Sequence, residues 1–339
     1  MEIRTSLIYL QHKYPFTIAR RKGTAEAVPN VRIEIEHEGV VGLGEARPSA
    51  FYGGETVDIV IDTVNQSLPI IGDNPFLIED ITAELIKRFP DCPAAVAGID
   101  IALHDLVCRK LGIPLYEYFG LNPANTPLTS YTIGLDTIEI MLKKLKEAAD
   151  MPIIKVKVGV ENDMEIVQAI RDNTDAVLRL DANTGWTVSE AIKKINALEK
   201  YRIEFIEQPI KPGDYPGLAE ISRNTNIPIM ADEDCTCPQV LPRLAGCVDS
   251  INIKLMKCRG LRQALKMINT ADSLGLKVML GCMTESSLPL TAAAHLTPMT
   301  KYADLDMQLL ITNDPYDGLG VENGKIILPS RPGVGIIER

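Results

Sequence analysis

The sequence predicts an α/β fold: a (β/α)8-type barrel, that is a modified TIM barrel, preceded by a smaller N-terminal α+β capping domain. Three observations carry that prediction. Beyond about residue 126, short β-rich runs alternate with helical stretches, giving eight strands and seven intervening helices. Several of the strands end on charged residues at nearly equal intervals along the chain. The length of 339 residues exceeds the ~250 that a barrel requires and leaves room for a second unit of about 100 residues.

The N-terminal unit reads as a hairpin followed by helices. Residues 32–36 alternate apolar and polar, a turn falls at Glu38-Gly39, and residues 40–46 continue as a second strand. Helical periodicity covers 56–67 and 77–87, and an apolar helix over 94–111 stops before Gly112-Ile113-Pro114. The expected division is a capping domain over 1–125, a catalytic barrel over 126–312, and a C-terminal segment over 313–339 that returns to the cap. The barrel strands are expected at 129–133, 153–158, 177–181, 204–207, 229–232, 250–254, 278–281 and 303–306. Between them, helices are expected at 138–149, 163–172, 188–198, 217–225, 239–244, 261–274 and 287–296.

Composition narrows the function. Apolar residues at 46% and charged residues at 24% are ordinary for a soluble globular protein. A net charge of −10 argues against nucleic-acid binding, which needs a basic surface. Seven cysteines without a CxxC pair argue against a disulfide framework or zinc ribbon, and Cys235-Thr-Cys237 reads as ordinary reduced thiols. The first ten residues lack a cationic stretch leading into a long apolar run, and no apolar run approaches the ~18 residues of a membrane span. A cytoplasmic protein without membrane partners is expected, and the sequence leaves room for a homo-oligomer.

The strand ends carry the chemistry. Lys157, Asp181, Glu207, Asp232 and Lys254 follow one another at intervals of 24, 26, 25 and 22 residues, about one βα unit each. They should therefore stand at one height, the C-terminal rim where barrel enzymes work. Three convergent carboxylates repel one another strongly, and a hard divalent cation with oxygen ligands, Mg2+ above all, resolves the repulsion. Lys155 and Lys157, two apart on one strand, share a face. Their mutual repulsion and the cation should lower at least one lysine pKa toward that of a base. Lys254, three strands further round, would meet a substrate from the other side.

Taken together, Lys155-Val-Lys157, Asp181-Ala-Asn183, Glu207-Gln-Pro209, Asp232-Glu233 and Asn252-Ile-Lys254 resemble the enolase superfamily in its muconate lactonizing enzyme subgroup. Gly42-Leu-Gly-Glu45 and the 94–111 helix resemble that family's capping domain, so the likeness spans essentially the whole chain. The resemblance implies one Mg2+ on Asp181, Glu207 and Asp232, and Lys157 and Lys254 as acid/base catalysts. It further implies that Lys155 holds an enolate and that Asn183 and Glu233 support the ligands. Proton removal beside a carboxylate and return from the opposite face is a racemase or epimerase reaction. The seventh barrel strand, Val278-Met-Leu-Gly281, has no histidine, which argues against a histidine base.

Asp304-Leu-Asp306 sets two carboxylates on one face, suited to an ammonium group. Together with residues 281–286 they resemble the dipeptide epimerases of this superfamily. That likeness implies a small dipeptide substrate, its ammonium on Asp304 and Asp306, and a site lined by Thr132, Cys282 and Thr284. The capping loop 15–23 contains Arg20 and Arg21. By the same likeness Arg21, or its neighbour Arg20, pairs with a side-chain carboxylate of an L-Ala-D/L-Glu type substrate from murein. N-succinylamino-acid racemase and o-succinylbenzoate synthase or cycloisomerase chemistry are the alternatives on such a site, and their substrates lack the ammonium. A non-catalytic metal-binding barrel leaves both Lys157 and Lys254 without a purpose.

Overall fold

A strand with alternating apolar residues needs one covering layer. In the N-terminal region helices supply it. The computed structural model describes residues 1–21, 23 and 27–339. Strands β1 (Glu2–Leu10), β2 (Val28–His37) and β3 (Val40–Ala46) form an antiparallel sheet in that order. Val31, Ile33 and Ile35 of β2 point into the core. Helices α1 (Val57–Ile71), α2 (Ile78–Arg88), α3 (Pro93–Leu111) and α4 (Leu115–Tyr118) follow.

Helix α3 is buried along almost its whole length and lies on β3 at backbone distance. Glycines permit the approach: a Cβ on Gly44 would collide with the carbonyl oxygen of Gly98, and one on Gly42 with that of Ala102. The hairpin and the three long helices lie where the sequence places them. Strand β1 is an addition. Its Leu7-Ile8-Tyr9-Leu10 run breaks the alternation, and only Leu10 is fully buried.

The second sheet has eight parallel strands in sequence order. They are β4 (Tyr131–Ile133), β5 (Ile153–Lys157), β6 (Val177–Asp181), β7 (Ile203–Glu207), β8 (Ile229–Ala231), β9 (Ser250–Ile253), β10 (Lys277–Gly281) and β11 (Tyr302–Asp304). The ends meet through a bridge between Thr129 and Ala303, with Ser130 N donating to Ala303 O at 3.3 Å, which closes the barrel. The helices around it are α5 (Ile138–Glu147), α6 (Asp163–Arg171), α7 (Val188–Leu198), α8 (Tyr215–Asn224), α9 (Leu241–Leu244), α10 (Leu255–Cys258), α11 (Leu261–Ser273), α12 (Ser287–Ala294) and α13 (Met307–Leu310). Boundaries differ from the expected ones by a residue or two at most ends. The short α10 and α13, which follow strand ends directly, are new.

After residue 312 come two small antiparallel pairs, β12 (Tyr316–Asp317) with β15 (Ile337–Glu338), and β13 (Gly320–Glu322) with β14 (Lys325–Ile327). This segment touches the N-terminal region: Leu115 N donates to Gly333 O at 2.9 Å, and Arg32 forms a two-pronged ion pair with Glu338. Among the described residues no helix is long and apolar enough to cross a membrane, and the seven cysteines are unpaired.

The α3–β3 contact makes a graded test. Gly44→Ala should cost about 3 kcal/mol, because backbone rather than a pliable side chain opposes the new methyl. Gly39→Ala, in an open turn at φ 79°, should cost only about 1 kcal/mol. Denaturant midpoints of the two variants check the order.

Candidate active site

Strand register fixes the height of each functional side chain. Lys157 pairs with Asp181 across β5–β6, and Asp181 with Glu207 across β6–β7. Asp232 follows β8 directly, Lys254 follows β9, and Asp304 is level with Gly281 across β10–β11. The chain then turns sharply. Asn183 (φ 41°), Thr184 (φ 68°) and Gln208 (φ 36°) all adopt left-handed backbone just past the carboxylates. Gln208 spans two loops: its Oε1 accepts from Asp232 N at 2.9 Å, and its Nε2 donates to Asp234 at 2.7 Å.

All three carboxylates are completely buried, and each meets a lysine. Lys155 Nζ lies 2.7 Å from Glu207, 2.7 Å from Asp304 and 3.3 Å from Asp181. Lys157 Nζ lies 2.5 Å from Asp181, and Lys254 Nζ 2.8 Å from Asp232. Burial alone would push Lys155 and Lys254 toward the neutral amine. The facing carboxylates outweigh it and hold both above the usual lysine range. At Lys155 the repulsion expected from a neighbouring lysine is outweighed by the facing carboxylates. A strand-end lysine next to carboxylates is stabilised as the cation, which the argument from lysine–lysine repulsion left out.

The carboxylates also act on one another. Burial first, then Asp181, pushes Glu207 up to about 7, with Asp232 adding to the effect. Its Oε1 accepts from Asn252 Nδ2 at 2.8 Å, whereas its Oε2 has an ion pair to Lys155 but no aligned hydrogen-bond donor. Among the described residues no group of three or more His, Cys, Asp or Glu side chains is drawn together tightly enough to hold an ion as it lies. Each is turned onto a lysine instead. The donor set nevertheless fits a hard divalent cation. It consists of carboxylate oxygens from successive strands that repel each other, one of them lacking a donor.

One cavity gathers Lys155, Lys157, Lys254, Asn183, Thr132, Cys282, Thr284, Asp304, Asp306, Arg20 and Arg21. Glu233 lies behind it, 3.0 Å from Arg20 and 3.4 Å from Asn183. At one end, Asp304 is already engaged by Lys155, by Ser130 Oγ at 2.6 Å and by Thr132 Oγ1 at 3.4 Å. Asp306 is bonded by Thr132, whose backbone N donates to it at 2.6 Å, and forms no ion pair among the described residues. At the other end stand Arg20, Arg21, Phe16 and Ile18 of the capping loop; Lys22 of that loop lies outside the described residues.

Residues that sequence reasoning passed over complete the site. Lys257 is fully buried and donates to the Asp232 carboxylate, to Asp232 O at 2.5 Å and to Asn252 O at 3.0 Å. Arg47, Ser49 and Tyr52 reach the cavity from the segment after β3. A faint signal for Lys257 exists in its position three residues beyond Lys254, one helical turn on; nothing local marks Arg47 or Tyr52.

Burial and the neighbouring Asp304 push the Asp306 carboxyl up to about 7. Below that pH it is protonated and neutral, and an ammonium group placed there, as the sequence reading expects, would lose its counter-charge. The kcat/KM for an ammonium-bearing substrate should therefore fall about tenfold per pH unit on the acid side of neutrality. Asp306→Asn should lower kcat/KM at pH 8 by about 100-fold and flatten the acid limb; pH–rate profiles of both proteins check this.

Comparison with known proteins adds independent findings. A family model described as mandelate racemase / muconate lactonizing enzyme, N-terminal domain, matches residues 3–120, and one described as enolase C-terminal domain-like matches residues 140–337. The chain is 41% identical over 331 residues to an L-Ala-D/L-Glu epimerase of Bacteroides thetaiotaomicron, covering 97% of this chain and 86% of that protein. It is 42% identical over 332 residues to a hydrophobic dipeptide epimerase of Enterococcus faecalis, covering 94% and 92%. The crystal structure of the Enterococcus faecalis V583 dipeptide epimerase complexed with Mg and L-Leu-L-Tyr superimposes with a TM-score of 0.92 at 39% identity, over 99% of this chain and 98% of that one.

Proposed function

The chain belongs to the mandelate racemase/muconate lactonizing enzyme family of the enolase superfamily, and from that premise we propose that it is a magnesium-dependent dipeptide epimerase. It inverts the α-carbon of the second residue of L-Ala-D/L-Glu type dipeptides. The observation that carries this reading is the pair Lys157 and Lys254, which reach one cavity from strands on either side of the Asp181, Glu207 and Asp232 carboxylates. Asp306, with no cationic partner among the described residues, favours a substrate with a free ammonium group. It counts against N-succinylamino-acid and o-succinylbenzoate chemistry, whose substrates lack one.

Magnesium held by Asp181, Glu207 and Asp232 would supply positive charge beside the substrate carboxylate and lower the cost of the negative charge that develops when the α-proton leaves. The protein's own groups do the rest. Lys157 removes or returns the α-proton on one face and Lys254 on the other. Lys155, between Glu207 and Asp304, adds positive charge where the enediolate forms. Burial favours the neutral amine at Lys254, and Asp232 and Glu207 oppose it. Drawing those carboxylates away releases the base. Asn183 and Glu233 fix the loops behind the carboxylates. In the same reading residues 1–125 cap the site, 126–312 perform the chemistry, and 313–339 tie the barrel back to the cap. The substrate class fits a cytoplasmic role in murein peptide recycling.

Isotope exchange tests the mechanism. In D2O with Mg2+, wild-type protein should place one deuterium at the α-carbon of the second residue while interconverting L-Ala-L-Glu and L-Ala-D-Glu. Lys157→Ala and Lys254→Ala should each slow epimerisation by about 1000-fold. Each should retain exchange with one epimer only, and the two variants should retain opposite epimers. Normal turnover in both variants would sink the two-base assignment. Chelation with EDTA should abolish activity, and added Mg2+ should restore it.

A further inference from the structure

An L-Ala-D/L-Glu epimerase and a hydrophobic dipeptide epimerase match this chain at nearly equal identity, so overall likeness does not choose between an acidic and a hydrophobic substrate. The choice lies in the cavity's arginine end. Arg20 is occupied there. Its guanidinium is 3.0 Å from the buried Glu233 and lies 4.3 Å over the Phe51 ring. Arg21 faces the cavity without a carboxylate partner among the described residues.

Arg47 is the unexplained member. It leaves β3 and enters the same cavity, its backbone N–H held by Met256 Sδ at 3.4 Å, beside the Lys254 strand end. Its guanidinium folds onto the carbonyl of Pro48, and its Nε is buried with no hydrogen-bond partner. No carboxylate among the described residues forms an ion pair with it. Burial first, then repulsion from Arg21, holds Arg47 down to about 10, and Glu285 opposes them more weakly. A half-buried cation with a buried, orphaned Nε, lining one cavity with a second cation that has no carboxylate partner among the described residues, is costly unless a ligand supplies the missing anion.

We propose that Arg47 is a specificity-determining residue which, with Arg21, receives a carboxylate on the side chain of the dipeptide's second residue, while Arg20 serves to position Glu233. The inference rests on the epimerase reading and deepens it: acidic second residues are selected by Arg47, which lies in the segment after β3 rather than in the 15–23 loop.

The test compares L-Ala-L-Glu, its uncharged isostere L-Ala-L-Gln, and L-Ala-L-Leu, by α-proton exchange and by calorimetric binding in Mg2+. For wild-type protein, kcat/KM for L-Ala-L-Glu should exceed that for L-Ala-L-Gln by about 100-fold. Arg47→Gln should reduce that ratio to about 5 or less, mainly through KM, and Arg47→Lys should recover part of it. Arg20→Gln should lower kcat for all three dipeptides alike and leave the ratio unchanged. If Arg47→Gln lowers both charged and uncharged substrates equally, or if wild type exchanges L-Ala-L-Leu as well as L-Ala-L-Glu, the assignment is overturned and the epimerase reading stands. If no dipeptide exchanges but L-Ala-L-Glu binds in an Arg47-dependent manner, the anion site stands and the epimerase reading falls.

Discussion

The constraint on which the site depends is the burial of Asp181, Glu207 and Asp232 side by side at the top of the barrel. Carboxylates this close and this dry cannot all remain ionised without cations between them. The protein answers with Lys155, Lys157 and Lys254 from neighbouring strand ends and Lys257 from the short helix after β9, each set on one of these carboxylates. The lysines cannot be removed singly without stranding a charge, and the carboxylates cannot be removed without leaving buried ammonium groups. The arrangement stabilises itself weakly at best. Its worth is that it is ready for a ligand set that changes the balance, a divalent cation and an anionic substrate together.

Holding those charges at one height requires a rigid frame. Parallel strands in register supply the height, and left-handed backbone at Asn183, Thr184 and Gln208 turns the chain away before the next residue can blunt the rim. Gly281 serves the same end on β10: a side chain there would strike the Asn252 amide, which is needed to hold Glu207. Around this frame the capping unit is joined by buried polar contacts rather than by apolar surface alone. Glu45, at the end of β3, accepts from Asn30 Nδ2 at 2.7 Å and from Ser286 N at 3.1 Å, and Asn30 donates onward to Thr284 O at 2.9 Å. Buried hydrogen bonds of this kind fix one docking position, because a shifted cap would leave each of these groups unpaired. The cap therefore presents its side chains to the cavity at fixed places.

Much of this was legible in the sequence, and for a definite reason. In a barrel, height along a strand is nearly a linear function of residue number, so a charged residue recurring once per βα unit reports a shared rim. Asp181, Glu207 and Lys157 lie where that arithmetic puts them, and the bounds of β6 and α7 coincide with those expected. Reading failed where position depends on contacts far apart in sequence. Strand β1 is half exposed and pairs with β2 across a loop, so its apolar pattern carries little signal. Lys257 turns inward only because α10 is a single turn ended by Arg259 in left-handed conformation. Arg47 looks like a surface cation beside a proline until β3 is docked on the barrel.

That contrast separates two kinds of information in the chain. The barrel residues to which the proposed mechanism gives the α-proton are tied to one another by charge, and changing one unbalances the rest. The cap residues at the far end are tied to the barrel through backbone, through Glu45 and through the Arg20–Glu233 ion pair, whereas Arg21 and Arg47 form no ion pair with the carboxylate–lysine cluster. Asp306 marks the limit of the first group: it is set by Thr132 and by its neighbour Asp304, and it lines the cavity with no ion-pair partner among the described residues. Arg21 and Arg47 mark the beginning of the second. In the proposed reading, a substrate that spans from one to the other would be held by opposite charges at its two ends, with the reacting carbon between the lysines. Position along the cavity is then set by long-range attraction at both ends, and the lysines need only be rigid.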